Sequence, residues 1–231
     1  MDIGKAFTFV FDDEDWIVKI LIAAAIVLVG VLLGILVIPA ILAFAVLAGY
    51  GVEITRRVIH GDSPALPAWD NWGALLSDGL KVWIIGIVYA LPIILISVCL
   101  GIPTGILAQE AEDLSSLFSL VMSCLNFLWG IPMSFLLPAA IAFFVAEDQL
   151  GAAFRFGDIF ALLRDNFVTY LITVLVGLVA SFIGGLGVIV CGLGWLVTAP
   201  YAGWITSHLY GQAYLEATSK APPPVLEEEP A

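Results

Sequence analysis

The chain has 231 residues, of which 61% are hydrophobic and only 12% charged, a balance outside the range of soluble globular proteins. Its 20 acidic residues against 8 basic ones give a net charge of -12, which argues against nucleic acid or an anionic membrane surface as a main partner. Uncharged stretches of roughly 20 residues or more recur and no soluble domain separates from them, so lipid is the natural solvent.

Asp12, Asp13, Glu14 and Asp15 precede the first apolar run. There is no basic region or small-residue cleavage site, so this run is expected to stay in the mature chain. From Ile17 to Val52 the only charge is Lys19, and these 36 residues are too many for one span and barely enough for two. Gly34 to Pro39 is the expected turn between them. The run from Leu114 to Val145 contains Pro132 and Pro138. Proline removes an internal hydrogen bond, so this span is expected to kink and its outer portion to stand clear of the lipid.

The predicted fold is an all-α integral membrane bundle of six transmembrane helices. They lie at about 16–35, 38–59, 80–100, 114–146, 163–184 and 188–212, within a membrane domain of residues 1–218. Residues 219–231 form an acidic, proline-rich tail with the composition of a disordered end.

The basic residues set the expected orientation, because cytoplasmic loops are enriched in Lys and Arg. Lys5 and Lys19 flank the first span; Arg56, Arg57 and Lys81 border the second connection. Arg155 and Arg164 lie in the fourth connection, and Lys220 follows the last span. All eight fall on one side when both termini are cytoplasmic. The stretch Gly101 to Asp113 then faces outside.

The starts of the odd-numbered spans resemble one another. Asp15 to Ile22 matches Asp165 to Ile172 at Asp, Val, Leu and Ile, and Asp78 to Ile85 is a looser third copy. Each follows an aromatic-containing stretch, at Phe7–Phe11, Trp69–Leu76 and Phe154–Leu163, suited to an amphipathic lead-in helix on the cytoplasmic surface. A true repeat implies three parallel hairpins; the competing reading is that any inward-going helix starts with an acid and an interfacial aromatic.

Cys99, Cys124 and Cys191 stand singly in apolar segments, as buried small hydrophobes would. A disulfide between Cys99 and Cys191 stays open. His60 and His208 are isolated from any carboxylate or cysteine cluster, and no nucleophile elbow, zinc-helix motif or phosphate loop occurs. Neither a metal, a cofactor nor a catalytic residue is therefore expected. Asn126 is the notable polar residue within a span, with an interhelical hydrogen bond as its expected role. Gly30 with Gly34, and Gly101 with Gly105, are small-residue pairs of helix-packing spacing.

Several strings carry a family resemblance: Met1 to Phe7 with Asp13 to Trp16; Gly49-Tyr50 with Glu53 and Arg56-Arg57-Val58; Gly61-Asp62, Leu66-Pro67, Trp69-Asp70, Trp72-Gly73 and Asp78 to Lys81; and Phe154 to Gly157 with Tyr210 to Tyr214. Together they resemble an uncharacterised prokaryotic membrane family, domain-of-unknown-function family 4013, over nearly the whole chain except the tail. The resemblance implies a multispan fold in a prokaryotic cell membrane and carries no activity, substrate or catalytic residue.

Three functions remain. A non-catalytic scaffold or accessory subunit of a membrane assembly best suits apolar spans with a patterned rim. A small-solute transporter or channel would draw on Asn126, Thr169, Thr173, Ser181 and Thr198, and a membrane-embedded enzyme on Asp15, Asp78 and Asp165. The candidate functional surface is the segment carrying Glu53, Arg56, Arg57, Trp69, Asp70, Trp72, Asp78 and Lys81. It would dock a membrane protein partner or lipid headgroups, because tryptophan and arginine dominate binding hot spots. Alternatively, the tryptophans only anchor at the bilayer interface and the arginines enforce orientation.

Overall fold

The computed structural model describes residues 1–63, 66–107, 112–189 and 192–219, and among these there is no β-strand. A short helix, α1 (Ile3–Thr8), opens the chain. The Asp2 carboxylate caps it by accepting the Lys5 N–H at 2.9 Å, which satisfies an otherwise orphaned donor. A 3-10 turn (Phe9–Asp12) follows, and the chain then bends by 97° into α2 (Trp16–Leu32). Asp13 fixes the bend: its carboxylate accepts the Asp15 N–H at 2.9 Å and the Lys19 ammonium at 2.6 Å.

The expected turn lies at Leu33–Leu36, before α3 (Val37–His60). Pro39 falls in the first turn of α3, where its missing N–H costs nothing. At the far end Gly61 adopts φ 75°, and the Asp62 N–H returns to the Arg57 carbonyl at 2.9 Å, a left-handed cap that glycine accommodates without strain.

Two helices of 36 residues follow, α4 (Trp72–Leu107) and α5 (Glu112–Glu147). At about 1.5 Å per residue each exceeds the hydrocarbon core. Of the expected outer stretch Gly101 to Asp113, the described residues 101–107 and 112–113 are helical. Pro132 and Pro138 sit inside a continuous α5. After a 3-10 turn at Leu150–Phe154 come α6 (Phe156–Asp165), α7 (Phe167–Leu186) and α8 (Trp195–Ser219).

Of the expected lead-in helices, α1 stands before α2 and α6 before α7, whereas Trp72–Leu76 is the first part of α4. On α6 the apolar pair Ile159 and Leu163, four residues apart, is buried, while Phe160 is exposed.

Among the described residues four helices are long and apolar enough to cross a membrane: Val37–His60, Trp72–Gly101, Ser116–Glu147 and Phe167–Ile189. The bent pair of α1 with its 3-10 turn and α2 is a fifth if counted as one span. The sixth expected span corresponds to α8, which begins and ends later than the predicted 188–212. It is the central helix, in contact with α1, α2, α3, α5 and α7. Central placement explains its composition, since a helix enclosed by protein can carry His208, Gln212 and Glu216 where partners await them. Gln212 Nε2 lies 3.1 Å from His208 Nδ1, His208 stacks on Phe9 at 4.3 Å, and Thr169 donates to Glu216 at 3.1 Å.

Small residues set the helix crossings. A Cβ on Gly49 would lie 1.7 Å from the Leu75 carbonyl oxygen, and one on Gly211 2.7 Å from Val58. Such close backbone approach is how helices pack where water supplies no driving force. Gly30 also packs tightly, against Phe44 and Ala43 of α3, whereas a Cβ on Gly101 would meet open space. Cys99 and Cys124 are free and exposed, not buried; Cys191 and the tail from residue 220 lie outside the described residues.

Candidate functional site

Glu53, Arg56 and Arg57 occupy one face of the last turns of α3, at spacings of three and four that let side chains meet. Arg56 reaches further than its own helix. Its guanidinium donates to Glu53 at 2.5 Å, to Asp78 of α4 at 2.9 Å and to Asp148 after α5 at 3.4 Å. Arg57 Nε lies 3.4 Å from the other Glu53 oxygen, and Lys81 donates to Asp78 at 2.8 Å. Three bases thus face three carboxylates across three elements. The Asp78 side chain is only 12% exposed, so this charge is held by its partners, not by water. Lys81 also lies 5.5 Å from the Phe144 ring centroid, within cation–π range.

The second half of the site is aromatic. Tyr50 stacks on Trp69 with centroids 4.0 Å apart, Trp69 on Trp72 at 5.4 Å, and Trp204 of α8 closes the column 5.1 Å from Tyr50. Hydrogen bonds aim these rings. The Tyr50 hydroxyl donates to the Pro67 carbonyl at 2.7 Å, and the Trp69 indole N–H to the Lys19 carbonyl at 3.2 Å. Lys19 in turn donates to the Leu66 carbonyl at 3.3 Å, and Leu66 is fully buried. The segment from Leu66 to Trp72 is thereby fastened onto α2 and α3.

The structure brings Glu53, Arg56, Arg57, Asp78 and Lys81 into one ion network, and Trp69 and Trp72 into one stack. Asp70 and Trp72 are exposed. Sequence reasoning missed Tyr50, one of the two inner rings of the stack, and Asp148, a non-glycine residue at φ 52°. The Gly49-Tyr50 string was a signal for the first, while nothing local marks the second.

Asn126 does not make the expected interhelical bond: it is exposed, and its amide donates at 2.8 Å to the Met122 carbonyl of its own helix. Thr198, by contrast, bonds across helices, its hydroxyl donating to the Gly184 carbonyl of α7 at 2.7 Å. Asp78 belongs to the ion network, Asp165 pairs with Arg164 at 2.9 Å, and Asp15 precedes α2. Among the described residues no group of three His, Cys, Asp or Glu side chains is placed to hold a metal ion.

Repeated long apolar helices with charges tied together at helix ends define a multi-pass membrane protein. The chain belongs to the family described as protein of unknown function (DUF4013), which matches residues 32–193, or 162 of the 231 residues. That range contains α3 to α7 and leaves out the strings Met1 to Phe7 and Tyr210 to Tyr214. No curated protein and no solved structure matches the chain.

Proposed function

We propose that this protein is a non-catalytic accessory subunit or scaffold of a membrane assembly. In this reading it crosses a prokaryotic cell membrane six times, with α2 and α8 completing the set and both termini cytoplasmic. It holds its partner through α5. The observation that carries the reading is a stripe on that helix. Ser119, Ser123, Asn126 and Gly130 recur at spacings of four, three and four residues, and all four are exposed. That is the seam spacing of a helix pair. Small and polar residues facing lipid waste their capacity, whereas between helices they allow close approach and interhelical hydrogen bonds.

The outer part of α4 supports the same view. Its consecutive residues Ile94, Leu95 and Ile96 are 45%, 55% and 39% exposed, so no single face is committed to the rest of the chain. At the charged end, the exposed Asp70 and Trp72 beside the Arg56 network supply polar docking for the partner or for lipid headgroups.

A photoreactive amino acid at Ser123 in native membranes tests this. The expected result is a discrete crosslinked membrane protein that disappears when Asn126→Leu is added at unchanged abundance. Crosslinking to lipid alone overturns the reading.

A cavity of about 350 Å³ between α5, α7 and α8 favours a second reading, a small-solute pathway. Thr173 and Ser181 converge on it with Ser134 and Thr206. Thr173 and Thr206 donate to carbonyls of their own helices at 2.9 and 2.8 Å, leaving hydroxyl lone pairs to accept from a solute. Glycerol uptake into proteoliposomes that falls in Thr173→Val supports this reading; uptake equal to that of empty vesicles removes it.

A further inference from the structure

A second cavity, of about 330 Å³, runs between α3 and α8. On α3 its lining residues Phe44, Leu47, Ala48, Gly51, Val52 and Thr55 follow the three-and-four periodicity of a single helix face. Phe44 and Thr55 are eleven positions apart, so the face is about 16 Å long at 1.5 Å per residue. The α8 wall sets the small Ala199, Gly203 and Ser207 beside Pro200 and the rings of Trp195, Trp204 and Tyr210.

Its polarity is graded. Thr55, Ser207 and Tyr210 line the end nearest the Arg56 network, whereas Val27, Phe44 and Trp195 line the other. The lining contains no Asp, Glu, Lys, Arg or His. Toward the charged end α3 and α8 close together: the Thr55 hydroxyl donates to the Ser207 carbonyl at 2.9 Å, and Gly211 packs on Val58. At Gly203 the cavity is open, since this residue is exposed and a Cβ there would meet nothing within 4 Å.

We propose that this cavity holds one acyl chain of a membrane phospholipid, drawn from the leaflet at the charged end. An apolar cavity in a protein is not filled by water, and an empty one costs stability in proportion to its volume. In the bilayer reading the surrounding solvent is itself hydrocarbon chains, and the exposed Gly203 gives them a way in. The gradient orients the chain, with its ester end toward Thr55, Ser207 and Tyr210 and its methyl end toward Phe44 and Trp195. The site is independent of the partner seam on α5.

The test uses the full chain in vesicles of phosphatidylethanolamine and phosphatidylglycerol, doped with phosphatidylcholine carrying a diazirine at the acyl terminus. After illumination, mass spectrometry should place adducts on cavity residues such as Phe44 and Ala199, besides those on outward-facing residues such as Leu95. Gly203→Leu adds a branched side chain at the opening, where a Cβ meets nothing within 4 Å. Removing contact with about two methylenes corresponds to roughly tenfold in occupancy, so cavity adducts should fall about tenfold while Leu95 adducts persist. Gly203→Ala should keep them, and Ala48→Leu gives a second filled cavity if Gly203→Leu does not fold. Cavity adducts absent from the wild type, or unchanged in the filled variants, overturn the proposal. So does modification of Ala48→Cys by a water-soluble maleimide in the vesicles, which would make the cavity aqueous.

Discussion

Gly79 of α4 lies so close to Gly49 of α3 that a Cβ on Gly79 would come within 2.9 Å of the Gly49 nitrogen and 1.7 Å of the Ala45 carbonyl oxygen. Both contacts are to backbone, which cannot swing aside. Gly79→Ala must therefore push α3 and α4 apart, and with them Arg56 from Asp78. Overpacking of this kind costs about 1–3 kcal/mol and occasionally more. The expected outcome is a lowered unfolding midpoint in detergent. Gly86→Ala, on the same helix where a Cβ meets nothing, should be neutral or slightly stabilising through helix propensity. Equal effects of the two would show that the crossing is not tight.

The ion network predicts unequal losses. Arg56→Met leaves Asp78, with its mostly buried side chain, to Lys81 alone, whereas Asp148→Ala removes only a 3.4 Å contact to a side chain that is 75% exposed. The first change should cost about 2–3 kcal/mol and the second at most about 1 kcal/mol. Urea or dodecyl sulfate titrations of the purified variants measure both. A larger loss from Asp148→Ala would contradict this ranking.

Trp69 and Trp72 should separate structure from docking. Trp69→Ala removes an inner ring of the stack and the hydrogen bond to Lys19, at a cost of about 3–5 kcal/mol, and should expose the segment from Leu66 to Trp72 to proteolysis. Trp72 ends the column and is 46% exposed, so Trp72→Ala should leave proteolysis nearly unchanged. Any loss of partner or headgroup binding in Trp72→Ala or Asp70→Ala then reports docking, whereas loss in Trp69→Ala reports the fold of the segment.

Orientation can be read by labelling. In a cysteine-free background, Leu193→Cys in the α7–α8 turn should react with an impermeant maleimide on intact cells. Ser63→Cys, beside the Arg56–Arg57 end of α3, should react only after the membrane is opened. The reverse pattern would invert the orientation, and equal labelling of both sites on intact cells would reject an odd number of spans between them.

Much of the architecture was legible in the chain because lipid imposes a simple rule: backbone groups must bond internally, and charges must leave the core. The turn near Gly34 to Pro39, the long helices and the Glu53–Arg57 pairing all follow from residue spacing along one segment. What failed were several inferences about which face meets which neighbour, although Gly30 does pack on α3. Asn126 was expected to bond across helices and bonds instead to its own. Gly49 and Gly79 were not singled out as packing residues, because a glycine gives no local sign of what approaches it.

The sequence by itself determined the solvent, the helical class, most helix positions and the clustering of bases at particular connections, since these depend on hydrophobicity and on contacts a few residues apart. Only the tertiary structure decided that α8 is central, that Arg56 joins Asp78 and Asp148, and that Tyr50 and Trp69 stack. These relationships bring together residues separated by 19 to 92 positions, as between Tyr50 and Trp69 or Arg56 and Asp148. Their existence depends on the angles at which helices cross, and in lipid those angles are set by small residues and side-chain shape, not by the apolar pattern that inserts the helices.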